Sequence, residues 1–154
     1  MRLDLHPPVG VGPAEIGASL GEAEAALASL GDVVMPDPLR PRRRGFVPFR
    51  SGLSIALHGD RGGNVIAVEI YRSDDDSVLF EGTDVFRTLA DEVIALLELR
   101  TRIRHEEGGR TVVAPELSMS LWRGNLPEFP GDEDGRYFES ALIAKPGYFA
   151  IPGE

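Results

Sequence analysis

A chain of 154 residues, 42% hydrophobic and 27% charged, has the size and make-up of one globular domain spanning residues 1–154. Its formal net charge of −9 lies in the second part: residues 1–50 carry six acids and six bases, residues 51–154 nineteen and ten. Such a field repels phosphate backbones and makes nucleic acid a poor partner, and the absence of cysteine excludes disulfides, a thiolate nucleophile and cysteine-based metal sites. No apolar run approaches the roughly 20 residues that cross a bilayer. The start, Met1-Arg2-Leu3-Asp4-Leu5-His6-Pro7-Pro8, lacks the apolar stretch of a signal peptide. The expectation is a cytoplasmic protein with no membrane role. Fifteen of the sixteen basic residues are arginine, which looks like the coding bias of a GC-rich bacterial genome.

In chain order, the first clear element is a helix from Ser19 to Leu30. Ser19 suits an N-cap, Glu22 stands at N3, and Leu20, Ala23, Leu27 and Leu30 form one apolar stripe. Gly31 is placed to close it with a left-handed residue. The segment before it, Gly10 to Glu15, reads as a turn. Arg40, Arg42, Arg43 and Arg44 form the one basic cluster, in a loop broken by Pro36, Pro38 and Pro41. Leu53 to Leu57 alternates as a strand, His58 to Asn64 reads as a hairpin loop, and Val65 to Tyr71 as the returning strand. Asp74-Asp75-Asp76 is read as a solvated junction.

A second helix is expected from Thr88, as cap with Asp91 at N3, to about Leu99. Its stripe of Leu89, Val93, Leu96, Leu97 and Arg100 is broader and predicts the deeper packing. Val112-Val113, Leu117 to Leu121 and Tyr137 to Ile143 follow as strands, with a long loop from Arg123 to Gly135. Pro146-Gly147 and Pro152-Gly153 mark a turn and tail. Leu-Ser-x-x-Leu occurs at 53–57 and 117–121, each after a helix and before another strand. This pattern predicts an α+β fold of duplicated strand–helix–strand–strand units, residues 14–72 and 83–144. They would form one mainly antiparallel sheet with both helices on one face and the other face partly open.

Gly17-Ala18-Ser19-Leu20-Gly21 matches the G-x-S-x-G of a nucleophile elbow, but no strand is read before it, so Ser19 is taken as a cap. His6, His58 and His105 lack metal-ligand spacing, and neither acidic run has the spaced ligands of a calcium loop. Neither an enzyme nor a metal or other cofactor is expected. The strongest functional signal is the aromatic content of the last third. Trp122, Phe129, Tyr148 and Phe149 lie near Asp132, Glu133 and Asp134, and aromatic residues among acids in loops are the composition of a recognition surface. Core packing is the expectation for Tyr137 or Phe138 and for Trp122.

In size, charge and overall character the chain resembles the cytoplasmic immunity proteins of bacterial toxin systems. That resemblance implies a protein partner, a toxin domain, met by the acidic loops and loop aromatics. The alternative is a small-molecule-binding domain. Duplicated strand–helix–strand–strand units resemble the gyrase-inhibitor-like ligand-binding fold, whose groove between repeats holds an apolar, often cationic compound. Trp122 and Tyr71 would then supply stacking surface and Glu69 a counter-charge.

Overall fold

The computed structural model describes residues 1–151; the turn read from Pro152-Gly153 lies outside them. The chain is an α+β protein built on two sheets rather than the single sheet expected. The strands are β1 (Arg2–His6), β2 (Gly10–Val11), β3 (Ala14–Glu15), β4 (Phe46–Pro48), β5 (Ser54–Gly59) and β6 (Val65–Tyr71). After them come β7 (Ser77–Phe80), β8 (Thr83–Asp84), β9 (Arg104–Glu106), β10 (Thr111–Ala114), β11 (Met119–Trp122) and β12 (Ser140–Ala144). Helix α1 (Leu20–Ala28) lies between β3 and β4, and α2 (Ala90–Arg100) between β8 and β9.

The larger sheet runs β4-β5-β6-β12-β11-β10-β9 and is antiparallel throughout. Its period-2 alternation sorts the side chains cleanly. Ile55, Ile70, Ala141, Leu121 and Val112 form one buried cross-strand row, and Leu57, Val68, Ile143, Met119 and Ala114 the next. The smaller sheet, β3-β2-β1-β7-β8, uses the parallel pairing of β1 with β7 to bring the N-terminus beside residues 77–80. Leu3, Leu5, Val11, Ala14 and Val78 from this sheet join the same core cluster as the two buried rows, Ala114 apart. Ala23 and Leu27 of α1, with Ala90, Val93 and Leu97 of α2, complete it.

Each helix leads into an antiparallel meander, and the two meanders meet along β6 and β12. The halves nevertheless differ. The first meander has three strands and the second four. The repeated Leu-Ser-x-x-Leu is placed differently in each: Ser54 opens β5, whereas Leu117 ends a 3-10 turn and Ser118 takes a left-handed φ of 55° ahead of β11. The register nevertheless places the two segments alike about the β6–β12 seam: Leu57 lies opposite Val68, which faces Ile143, and Leu121 lies opposite Ala141, which faces Ile70. The residues read as turn before α1 include β2 and β3, two short strands whose pairing to β1 is a long-range matter their own composition does not signal.

Both helix starts were predicted to be capped by side chains, and one is. The Ser19 hydroxyl accepts from the Glu22 amide at 3.1 Å, and Gly31 carries the expected positive φ of 85°. Helix α2 begins one residue later than predicted, with Leu89 at the cap and no side-chain bond there. The carbonyl of Arg136 accepts from Ala90 N at 2.9 Å, so a distant loop takes the place of Thr88. The apolar stripe of α2 is also narrower than expected, with Leu96 exposed. Asp76, read as part of a solvated run, is buried, with the Met1 amino group 3.0 Å from its carboxylate.

The two caps give a direct comparison. Ser19→Ala is expected to lower unfolding stability by about 0.5–2 kcal/mol. Thr88→Ala is expected to stay within about 0.5 kcal/mol of the parent in the same denaturant titration. Equal losses would mean that Thr88 caps α2 in solution.

Candidate functional site

The face of the larger sheet opposite the core carries the residues of interest. Its first row is Ser54, Tyr71, Ser140, Trp122 and Thr111, and its second Ala56, Glu69, Leu142, Ser120 and Val113. Tyr71 and Trp122 are 38% and 37% exposed although they project from central strands. They stand two strands apart, about 10 Å by the usual strand spacing, with the buried Ser140 between them. A small residue between two aromatic ones leaves an indentation. Together with Glu69, Thr111, Ser120 and Leu142 they line an open groove of about 350 Å³.

The groove is polar at one end. The Tyr71 hydroxyl donates to Glu69 Oε1, and His58 Nε2 lies 3.5 Å from the same oxygen. Burial pushes the Tyr71 phenol up to about 12, helped by the hydrogen bond to Glu69 and its charge and opposed by Arg43. Tyr71 is thus a proton donor at neutral pH, and one Glu69 oxygen already has an intramolecular partner. The groove can stack a flat or apolar group and meet a hydrogen-bonding one.

Beside Trp122 the chain turns inward, and Arg123 is buried. Its guanidinium donates to the Gly135 carbonyl at 2.9 Å, stands 5.5 Å from the centre of the Phe138 ring and lies 3.8 Å from an Asp91 carboxylate oxygen. These contacts close the loop of residues 124–137 at its base. Within that loop Phe129 is 60% exposed. Asp132 turns its carboxylate back on the chain, accepting from the amides of Glu128 and Asp134 at 3.0 Å each. Those two bonds hold it below the usual carboxylate range. Glu133 is 3.3 Å from Arg136, and Asp134 is exposed.

Tyr148 and Phe149 meet edge to face with ring centres 5.0 Å apart. Arg104, on the open face of β9, donates to the Phe149 carbonyl at 3.1 Å and fixes this segment beside that edge strand.

The structure therefore joins Glu69, Tyr71 and Trp122 in one groove. Phe129 with Asp132, Glu133 and Asp134 occupies a separate loop, and Tyr148 with Phe149 a third segment. Trp122, expected in the core, is on the open face. Its strand alternation carries that signal, since Leu121 is buried and the two neighbours cannot share a face. His58, expected in the hairpin loop, lies in β5, and the same alternation marks it, Ser140 and Leu142 as outward. Among the described residues no group of three or more His, Asp or Glu is arranged to hold a metal ion, and no helix is long and apolar enough to cross a membrane. The chain matches no protein-family model, no curated protein and no solved structure.

The Tyr71–Glu69 contact has a readable pH signature. The folded phenol titrates near 12 against an ordinary value of 10.0, so its neutral form is favoured by folding. The resulting stabilisation is fully present below pH 10 and is lost as pH rises through 12. Absorbance at 295 nm should show a component near pH 12 that vanishes in Tyr71→Phe. In Glu69→Gln it should move down but stop above the ordinary value, because burial is the larger cause. A wild-type component near pH 10 would contradict the contact.

Proposed function

We propose that this chain is a protein-binding module, of the kind exemplified by immunity proteins, that occludes a basic partner surface with the open face of its larger sheet. The observation that carries the reading is the exposure of Tyr71 and Trp122 in one cross-strand row, on either side of Ser140. Aromatic side chains lose little conformational entropy when they are covered and are enriched among residues that dominate binding energy. Two of them on a rigid sheet form a preorganised patch. The charge of −9 supports a basic partner, which would be steered toward the protein before contact. The Phe129 loop and the Tyr148–Phe149 segment lie outside the groove and would form additional contacts. A toxin domain is the partner this reading favours, and binding would neutralise it by covering its active site in the cytoplasm.

One observation favours a second reading. Glu69, Tyr71 and Trp122, the residues expected to hold an apolar cationic compound, line the same groove. A cation there would stack on the aromatic faces with Glu69 as counter-charge.

The product of the reading frame adjacent to this gene is the partner to test, by association and dissociation kinetics. Trp122→Ala is expected to weaken binding by about 2 kcal/mol or more, roughly 30-fold, mainly through faster dissociation. Charge reversal at Asp132, Glu133 and Asp134 should slow association, and added salt should reduce the difference. Unchanged binding by Trp122→Ala and by Tyr71→Ala would move the interface off this face. Quenching of Trp122 fluorescence by tetraphenylphosphonium, abolished in Glu69→Gln, would favour the small-molecule reading.

A further inference from the structure

A larger cavity, of about 600 Å³, adjoins the groove and shares Tyr71 with it. It lies between the N-terminal end of α1, the β5–β6 turn and the arginine loop that precedes β4. Leu20, Phe46, Ala56 and Leu57 give it apolar walls, and Arg43, Arg44 and His58 bring nitrogen donors. Its volume falls in the range of sites that enclose small organic ligands.

Eight arginines in other segments stand within ion-pair distance of carboxylates. Among the described residues the two arginines at this cavity have no carboxylate within ion-pair distance, a state they share with Arg2, Arg40, Arg42, Arg50 and Arg61. The cavity's one lining acid, Asp60, has an oxygen engaged by the Asn64 amide at 3.0 Å. Glu69 is close by but is bonded to the Tyr71 hydroxyl and faces His58. The residues that line the cavity thus carry two guanidinium groups against one carboxylate, in a protein of net charge −9.

The backbone that carries the arginines is held in position. Gly45, directly after Arg44, has a φ of 87°, and a Cβ there would come within 2.6 Å of the Leu57 carbonyl oxygen. Its carbonyl accepts from Leu57 N at 2.7 Å, and its amide donates to Glu24 Oε1 at 2.7 Å. One residue therefore pins the arginine loop to both β5 and α1 at the mouth of the cavity. Only glycine takes that backbone conformation and that approach without strain.

We infer that this cavity is a binding site for an organic anion, a carboxylate or phosphate carried on an apolar body. The acid group meets the guanidinium groups of Arg43 and Arg44, and the apolar part lies against Leu20, Phe46 and Leu57. Guanidinium offers paired donors in a fork that matches either oxyanion. The small-anion site stands whether or not the neighbouring sheet face binds a protein.

Calorimetric titration of the whole chain with octanoate and with phenyl phosphate tests it, and separates carboxylate from phosphate preference. Binding of at least one anion with a Kd of about 1 mM or tighter is expected, and the matching uncharged and cationic probes, octanol and octylammonium, should bind at least about tenfold more weakly. Arg43→Gln/Arg44→Gln should lose about tenfold or more in anion affinity with an unchanged melting temperature, since both side chains are exposed. Arg50→Gln, an exposed arginine outside the cavity, should bind as the parent does. Equal affinity in the double variant, equal loss in Arg50→Gln, binding of octylammonium as tight as that of the anions, or no anion binding at millimolar concentration would each overturn the assignment.

Discussion

The antiparallel pairing of β6 with β12 is the contact on which the rest of the molecule depends. Tyr71 lies opposite Ser140 and Ala67 opposite Ala144, with three pairs between them. This register joins two meanders that would otherwise be separate three- and four-stranded sheets. It also decides which side chains enter the core, because side chains alternate with a period of two. A shift of one residue in either strand would turn Glu69 and Tyr71, or Ser140 and Leu142, toward the core, and Val68 and Ile70, or Ala141 and Ile143, toward the open face. Burial of an unpaired carboxylate together with loss of that much apolar contact makes the shifted pairing strongly unfavourable.

The inner face so formed packs against both helices and the smaller sheet, and the Arg123 side chain is buried beside it. Arg123 spans the Gly135 carbonyl and the Phe138 ring, which is itself fully buried. Arg123 therefore closes the loop that follows Trp122. Since adjacent residues on a strand project to opposite faces, the same inward turn of Arg123 leaves Trp122 facing out. The Arg136 carbonyl at the far end of this loop caps α2. Loop, helix start and open face are in this way mechanically linked.

On the outer face the charged groups are separated along the sheet. The arginine loop stands at the end nearest α1, Glu69 with Tyr71 and His58 lies in the middle, and Trp122 is toward β10. Neighbouring regions of opposite sign allow one surface to orient a partner or ligand as well as attract it, since a wrong orientation places like charges together. The hydrogen bond from Tyr71 to Glu69 keeps the middle of the face ordered without adding net positive or negative charge.

By itself the sequence determined the local elements whose signals are complete within a few residues. Alternation gave Val65 to Tyr71 at its observed boundaries, Ser19 with Glu22 gave the start of α1, and the exposed aromatic Phe129 followed from its Pro- and acid-rich loop. The expectation of both helices on one face left the other sheet face open, and the resemblance to a gyrase-inhibitor-like fold grouped Glu69, Tyr71 and Trp122 as possible neighbours. What only tertiary structure decided was every feature completed by a distant residue. The cap of α2 comes from Arg136, because a backbone donor accepts any well-placed carbonyl and the sequence nearby does not name it. Asp76 is buried because β1 pairs with β7 and brings Met1 beside it. Arg43 and Arg44 border a cavity because Gly45 fits against Leu57. A periodic pattern specifies which face of an element is apolar; which other element covers that face, or leaves it open, depends on long-range pairing and packing that no short segment encodes.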